Sequence, residues 1–137
     1  MKLTNTSQYA LRILCYMAKD EKQLYSAKFL IEELKISDKY LRRIMTSLVK
    51  ADFIISVMGR DGGYMFNKNP DELFIADVVN CFEGMQTYLN CVLGFHQCDA
   101  ENPCVMHNVW DPVRKELQHV FSTHSIRDLD INLVKKF

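Results

Sequence analysis

The chain carries no net charge, no uninterrupted apolar run long enough to cross a bilayer, and no glycine-rich nucleotide-binding motif. It also lacks a nucleophile–base pairing, an internal repeat, a low-complexity tract and a linker. These absences tell against a membrane-spanning protein, a nucleotide-driven enzyme and a repeat architecture. The opening MKLTNTSQYALR is not a signal peptide, so the expected location is the cytoplasm. With 137 residues the chain is long enough for one domain around a single core. Five cysteines, an odd number, in a reducing compartment favour metal binding, redox sensing or plain burial over a disulfide framework.

Zero net charge conceals an uneven division. Met1 to Pro70 holds twelve Lys/Arg against seven Asp/Glu, and Asp71 to Phe137 holds five against ten. A basic first half on a neutral chain is an electrostatic footprint of nucleic-acid binding, although a solvated mixed surface gives the same count.

Three cysteines stand together as Cys-x6-Cys-x5-Cys at Cys91, Cys98 and Cys104, with His107 three residues on. Thiolate and imidazole suit iron–sulfur clusters or zinc, and four such groups within seventeen positions can converge on one centre. Both gaps exceed the two to four residues that separate paired cysteines in zinc fingers and ribbons. A loop around something larger than one ion fits better, so a cluster is the first reading and zinc the second. Asn102-Pro103 marks a helix start, which puts Cys104 and His107 on one face, where free first-turn N–H groups could reach cluster sulfurs. Three thiolates with one imidazole favour a 2Fe-2S centre over 4Fe-4S. The neutral ligand raises the potential and makes the fourth bond sensitive to protonation. His96 is a rival fourth ligand. His119, His124, Cys15 and Cys81 read as surface histidines and buried thiols.

Periodicity supplies the scaffold. Ser7 to Lys19 reads as a mostly buried helix, and Ser26 caps a short helix carrying Phe29, Leu30 and Leu34 inward. Lys35-Ile36 makes a tight break, and Ser37 caps a helix with Leu41, Ile44, Met45 and Leu48 on one face and Lys39, Arg42, Arg43 and Lys50 on the other. This is a helix-turn-helix pattern, or else an αα-hairpin with a basic outer face. Phe53 to Val57, the turn cluster Gly59 to Gly63, and Tyr64 to Phe66 read as a β-hairpin, the wing of a winged helix. Phe74 to Phe82 is a further helix, burying Val78, Val79 and Phe82. A long one carries Val109, Val113, Leu117, Val120 and Phe121 to about Thr123, with more apolar surface than the wing domain needs. The tail from Ser125 to Phe137 reads as a possible short helix and a loose end.

The segments KLTNTSQYALRIL, ISDKYLRRIMTSLVKADFIISVMGRDGGYMF, DVVNCFEG and CVMHNVW resemble the IscR/NsrR-type bacterial winged-helix transcription regulators, over about Met1 to Leu129. The resemblance implies a homodimer that reads palindromic double-stranded DNA. It also implies an iron–sulfur cluster on Cys91, Cys98 and Cys104, with His107 as the IscR-type fourth ligand. Three positions depart from the family. Gln8 stands where NsrR-type members place an acidic ligand from the other subunit. Met58 stands where the wing has its groove-entering arginine, with Arg60 two residues away. Arg42 stands where the IscR recognition helix is acidic, so the operator should differ.

The fold expected is mainly α with a small β-hairpin wing: a winged helix-turn-helix domain over residues 1–83, a cysteine loop over 84–106, and a dimerisation helix with tail over 107–137. Ser37, Lys39, Tyr40, Arg42 and Arg43 would face the major groove, with Arg60 at the wing. No membrane partner and no small-molecule substrate are expected. The leading function is cluster-controlled transcription regulation. Behind it stand a cluster-free thiol-redox regulator of the same fold, and then an iron–sulfur electron carrier.

Overall fold

In the computed structural model, residues 1–129 are described. The first helix, α1 (Asn5–Met17), begins where Thr4 accepts the Ser7 N–H on its hydroxyl at 3.3 Å, and it buries Ala10, Ile13, Leu14 and Met17. Helix α2 (Ala27–Leu34) starts at Ser26, whose hydroxyl accepts from the Phe29 N–H at 3.1 Å. It ends at Lys35, which turns the chain in the left-handed region at φ 54°. After that turn α3 (Asp38–Lys50) begins, burying Leu41, Ile44, Met45 and Leu48 completely and exposing Lys39, Arg42, Arg43 and Lys50. A plain αα-hairpin would need nothing more, whereas this pair of helices leads straight into a β-hairpin, as a winged helix-turn-helix does.

Strands β1 (Ile54–Val57) and β2 (Gly63–Phe66) pair antiparallel, with Ile54 opposite Phe66 and Val57 opposite Gly63. Tyr25 joins them in a bridge to Tyr64, with N···O distances of 2.9 and 2.8 Å, which ties the wing to the start of α2. A Cβ on Gly63 would lie 2.7 Å from the Tyr25 carbonyl oxygen, so only glycine admits this approach.

Helix α4 (Ile75–Phe82) lies against α1 and α3, and the one-turn α5 (Gln86–Leu89) precedes the cysteines. The long α6 (His107–Thr123) returns against α4 and α5. A main core fills the space under α1, α2 and α3, and a smaller one gathers Val79, Met85 and Leu89 with Leu3, Tyr88 and Phe121. Among the described residues no helix is long and apolar enough to cross a membrane.

Several expectations needed correction. The long helix starts at His107 and not at Asn102-Pro103, because residues 101–104 are irregular, residues 105–106 form a turn, and the helical bonding begins with Trp110 N–H on the Met106 carbonyl at 2.8 Å. Helix α5 falls within what read as loop. It forms because Met85 and Leu89 have the second core to enter. Phe29 turns outward to the surface, its ring tilted 6.0 Å from that of Tyr16. The start of the tail is anchored: Ile126 is fully buried and donates its N–H to the Leu73 carbonyl at 2.8 Å. Arg127 reaches Asp71 at 3.1 Å and Glu21 at 2.5 Å. The rest of the tail lies outside the described residues.

Candidate metal centre and nucleic-acid interface

The four sulfur and imidazole groups singled out by spacing meet in two pairs. Cys91 Sγ lies 3.8 Å from Cys104 Sγ, and Cys98 Sγ lies 3.6 Å from His107 Nδ1. Among the described residues no three of His, Cys, Asp or Glu converge on a point as they would around a single metal ion. Tetrahedral geometry gives the pair distances a meaning. With metal–sulfur bonds of about 2.3 Å and metal–nitrogen bonds of about 2.0–2.1 Å, two thiolates on one metal lie about 3.8 Å apart and a thiolate–imidazole pair about 3.6 Å apart. Each pair therefore has the spacing of two ligands on one metal. His96 is exposed, on the wall of a cleft of about 640 Å³ that also includes Cys98, His107, Asn90 and Arg114.

Cys91 is the best prepared thiolate. It is 7% exposed, and burial would raise its pKa, yet the backbone N–H groups of Leu93 and Phe95, the Cys104 thiol and the Gly94 N–H together hold it below the ordinary thiol value. The turn that aims those amides needs Gly94, whose φ is 82° and whose N–H closes onto the Cys91 carbonyl at 3.0 Å. The sulfur-directed amides therefore come from this turn. At the start of α6 the N–H groups of His107, Val109 and Trp110 are already bonded to the carbonyls of Cys104 and Met106, against the expectation that they would be free. Cys15 is the opposite case: burial pushes its thiol up to about 12. Cys81, half-buried, is also pushed up by burial.

Sequence reasoning missed the side chains that position the cysteine segment. The Trp110 indole N–H donates to the Asn90 carbonyl at 2.8 Å, immediately before Cys91. Arg114 reaches the Leu89 carbonyl at 3.4 Å and is itself held by Asp111 at 2.6 Å. Asp111 also pairs with Lys115 at 2.8 Å, and these two cations lower its pKa. The HNVW signature carried the signal, since a partly buried indole needs a partner for its N–H. His107 is 8% exposed, so it is not a solvent-facing cap residue. Gln8 is occupied within its own chain, donating to the Leu3 carbonyl at 2.6 Å.

Helix α3 and its N-cap present Ser37, Lys39, Arg42 and Arg43, all exposed. Arg42 pairs with Asp38 at 2.5 Å, both side chains being more than half exposed, so the pair is worth about 0.3–0.5 kcal/mol and opens readily for a better anion. Tyr40 is half-buried. Its hydroxyl lies 2.7 Å from the Thr6 hydroxyl and its ring meets Tyr9 edge-on at 5.6 Å, so it is anchored to α1. The wing tip exposes Arg60 and Met58, the latter 88% exposed.

Known proteins resemble this chain in sequence and in fold. An HTH-type transcriptional regulator of Aquifex aeolicus is 33% identical over 138 residues, spanning 99% of this chain and 95% of its own. The structure of CymR, the global cysteine regulator of B. subtilis, superposes with a TM-score of 0.80 at 20% identity, covering 98% of this chain and 99% of its own. T. potens IscR superposes with a TM-score of 0.75 at 23% identity, covering 98% and 89%. The two superpositions show the winged-helix fold, and the Aquifex relative is a transcriptional regulator. The Rrf2 family profile, described as "Iron-dependent Transcriptional regulator", matches residues 3–130, and the chain belongs to that family.

Proposed function

We propose that this transcription regulator acts as a homodimer on a palindromic operator, and that an iron–sulfur cluster held by Cys91, Cys98, Cys104 and His107 sets its affinity. The observation that carries this reading is the pairing of the four groups at 3.8 and 3.6 Å, each the spacing of two ligands on one tetrahedral metal. Two pairs suit a 2Fe-2S group better than a single zinc ion or a 4Fe-4S cube. The bound group would supply a redox-responsive, reagent-sensitive link between segments. The chain's own residues do the rest. The turn at Gly94 stabilises the Cys91 thiolate, Trp110 and Arg114 hold the segment against α6, and α3 with Arg60 reads DNA.

Anaerobic purification with absorbance and gel-shift measurement tests the proposal. Cys98→Ala should lose the visible absorbance and shift operator affinity by tens-fold while the fold persists, within the usual coupling of about 1–3 kcal/mol. Equal affinities for holo and Cys98→Ala protein at equal salt, with the wild-type cluster confirmed, would remove the cluster from control.

A second reading rests on the same 3.8 Å contact. Loss of two protons and two electrons from Cys91 and Cys104 to a peroxide would join their sulfurs as a disulfide. Colourless protein whose DNA binding follows the redox state of these two thiols would favour it.

A further inference from the structure

The cysteine segment and the DNA-reading helix lie in different parts of the chain, yet side-chain hydrogen bonds joined by short stretches of helix backbone run between them. Its centre is Glu83, the residue that ends α4. One carboxylate oxygen of Glu83 accepts from Thr4 twice, from the N–H at 3.0 Å and from the hydroxyl at 2.7 Å. The other accepts from the Tyr88 hydroxyl, which also lies 3.1 Å from the Lys2 carbonyl. Thr4 is the N-cap of α1, and Thr6, two residues on, holds Tyr40 of α3. Tyr88 belongs to α5, whose C-terminal neighbour Asn90 is fixed by Trp110 and precedes Cys91.

We propose that Glu83 is the positioning residue that couples the cysteine segment to the recognition helix, by gripping the start of α1 and the α5 turn with the two oxygens of one carboxylate. A movement of Cys91 then reaches Tyr40 through Asn90, Tyr88, Glu83, Thr4 and Thr6. Hydrogen bonds and a helix cap define discrete partners for each step, which is what a two-state element requires. Burial raises the Glu83 pKa, but bonds from Ser7, Tyr88 and Thr4 outweigh it, so Glu83 is anionic near neutral pH. The coupling gives the cluster its route to DNA and rests on that reading for its purpose.

Trp110, the single tryptophan, sits at the cysteine end of the route and reports on it. Linkage is reciprocal, so DNA bound at α3 must perturb the cysteine segment if the route carries coupling. The probe is a duplex selected from a random pool by the wild-type holo protein, titrated while Trp110 emission is monitored. Wild type should show an emission change that saturates with binding. Glu83→Ala and Tyr88→Phe should bind the duplex and lose that change, and Glu83→Gln, which keeps an acceptor for Thr4, should restore most of it. Tyr88→Phe retains the ring that lies among Val79, Met85 and Leu89, so its melting temperature should stay near wild type. A merely structural role for Glu83 would lower the melting temperature and leave the Trp110 response in place. Variants that bind and respond as wild type does, or a wild type with no response, overturn the coupling. The cluster reading is tested separately by the affinity ratio of holo to Cys98→Ala protein. A ratio of one beside an intact, Glu83-dependent Trp110 response would sink the cluster switch and support the coupling.

Discussion

Tyr40 and Arg42, two positions apart on α3, answer to different partners. Tyr40 is tied back to Thr6 and Tyr9, which fixes α3 against α1. Arg42 is held by Asp38, which keeps its guanidinium at the exposed start of the helix, where bidentate contact with guanine is worth about 1–3 kcal/mol of base discrimination. Arg42→Ala should therefore relax sequence preference, while Lys50→Ala, at the far end of α3, should leave it nearly unchanged. Footprinting in which wild type and Arg42→Ala show the same preference would take α3 out of the major groove. At this scale the spacing in the sequence singled out three sulfurs and an imidazole, and the fold brings them together as two pairs, Cys91 with Cys104 and Cys98 with His107. Which sulfur pairs with which was not legible. That depends on a left-handed turn at Gly94 and on anchors from Trp110 and Arg114, whose partners are backbone carbonyls twenty and twenty-five positions earlier.

Among the elements, those with a strong apolar period or a capping residue were readable in advance: α3 with its four fully buried positions, α2 behind Ser26, and the wing with its glycine-rich tip. The single turn of α5 has too few residues to show a period, and it exists only because a second core receives Met85 and Leu89. Pro112 inside α6 would have argued for a break there, since it cannot donate to the carbonyl four residues earlier. The helix nevertheless continues to Thr123. The junction of α1, α4 and α5 at Glu83 carries a pH consequence. Its carboxylate is held below the usual value in the folded state, so the stabilisation it provides is present at pH above the unfolded carboxylate value of about 4.3 and is lost as pH falls through the lower folded value. Wild type should be more stable than Glu83→Gln in urea at pH 7, and the gap should narrow as the pH is taken below the unfolded carboxylate value of about 4.3 and close below the folded one. A gap independent of pH would mean that the carboxylate charge contributes nothing at this junction.

For the whole molecule the outstanding demand is the outer face of α6. Val109 is 64% exposed and Val113 53% exposed, and they continue an apolar row through the half-buried Leu117 and Val120 to Phe121, which packs against the second core. Pro112, Val113, Leu117 and Val120, together with Glu116, line a largely apolar trough along the helix. A 17-residue helix is about 25 Å long, enough for a seam against its own copy, and a two-fold pairing would set the recognition helices about 34 Å apart, one turn of DNA. An aspartate in that seam meets its own symmetry mate, so Leu117→Asp places two unpaired charges in an apolar contact. We expect it to sediment as a monomer and to lose about 10²-fold or more in affinity for a palindrome, because two half-sites no longer act together. Leu117 is half-buried within the protomer and its replacement also touches the fold, so Val113→Asp, on the exposed part of the row, serves as the cleaner variant. Its circular dichroism should match wild type while its sedimentation does not. If both variants remain dimers and bind the palindrome as wild type does, α6 is not the seam, and the apolar row on its outer face must be covered by something other than a second copy of this chain.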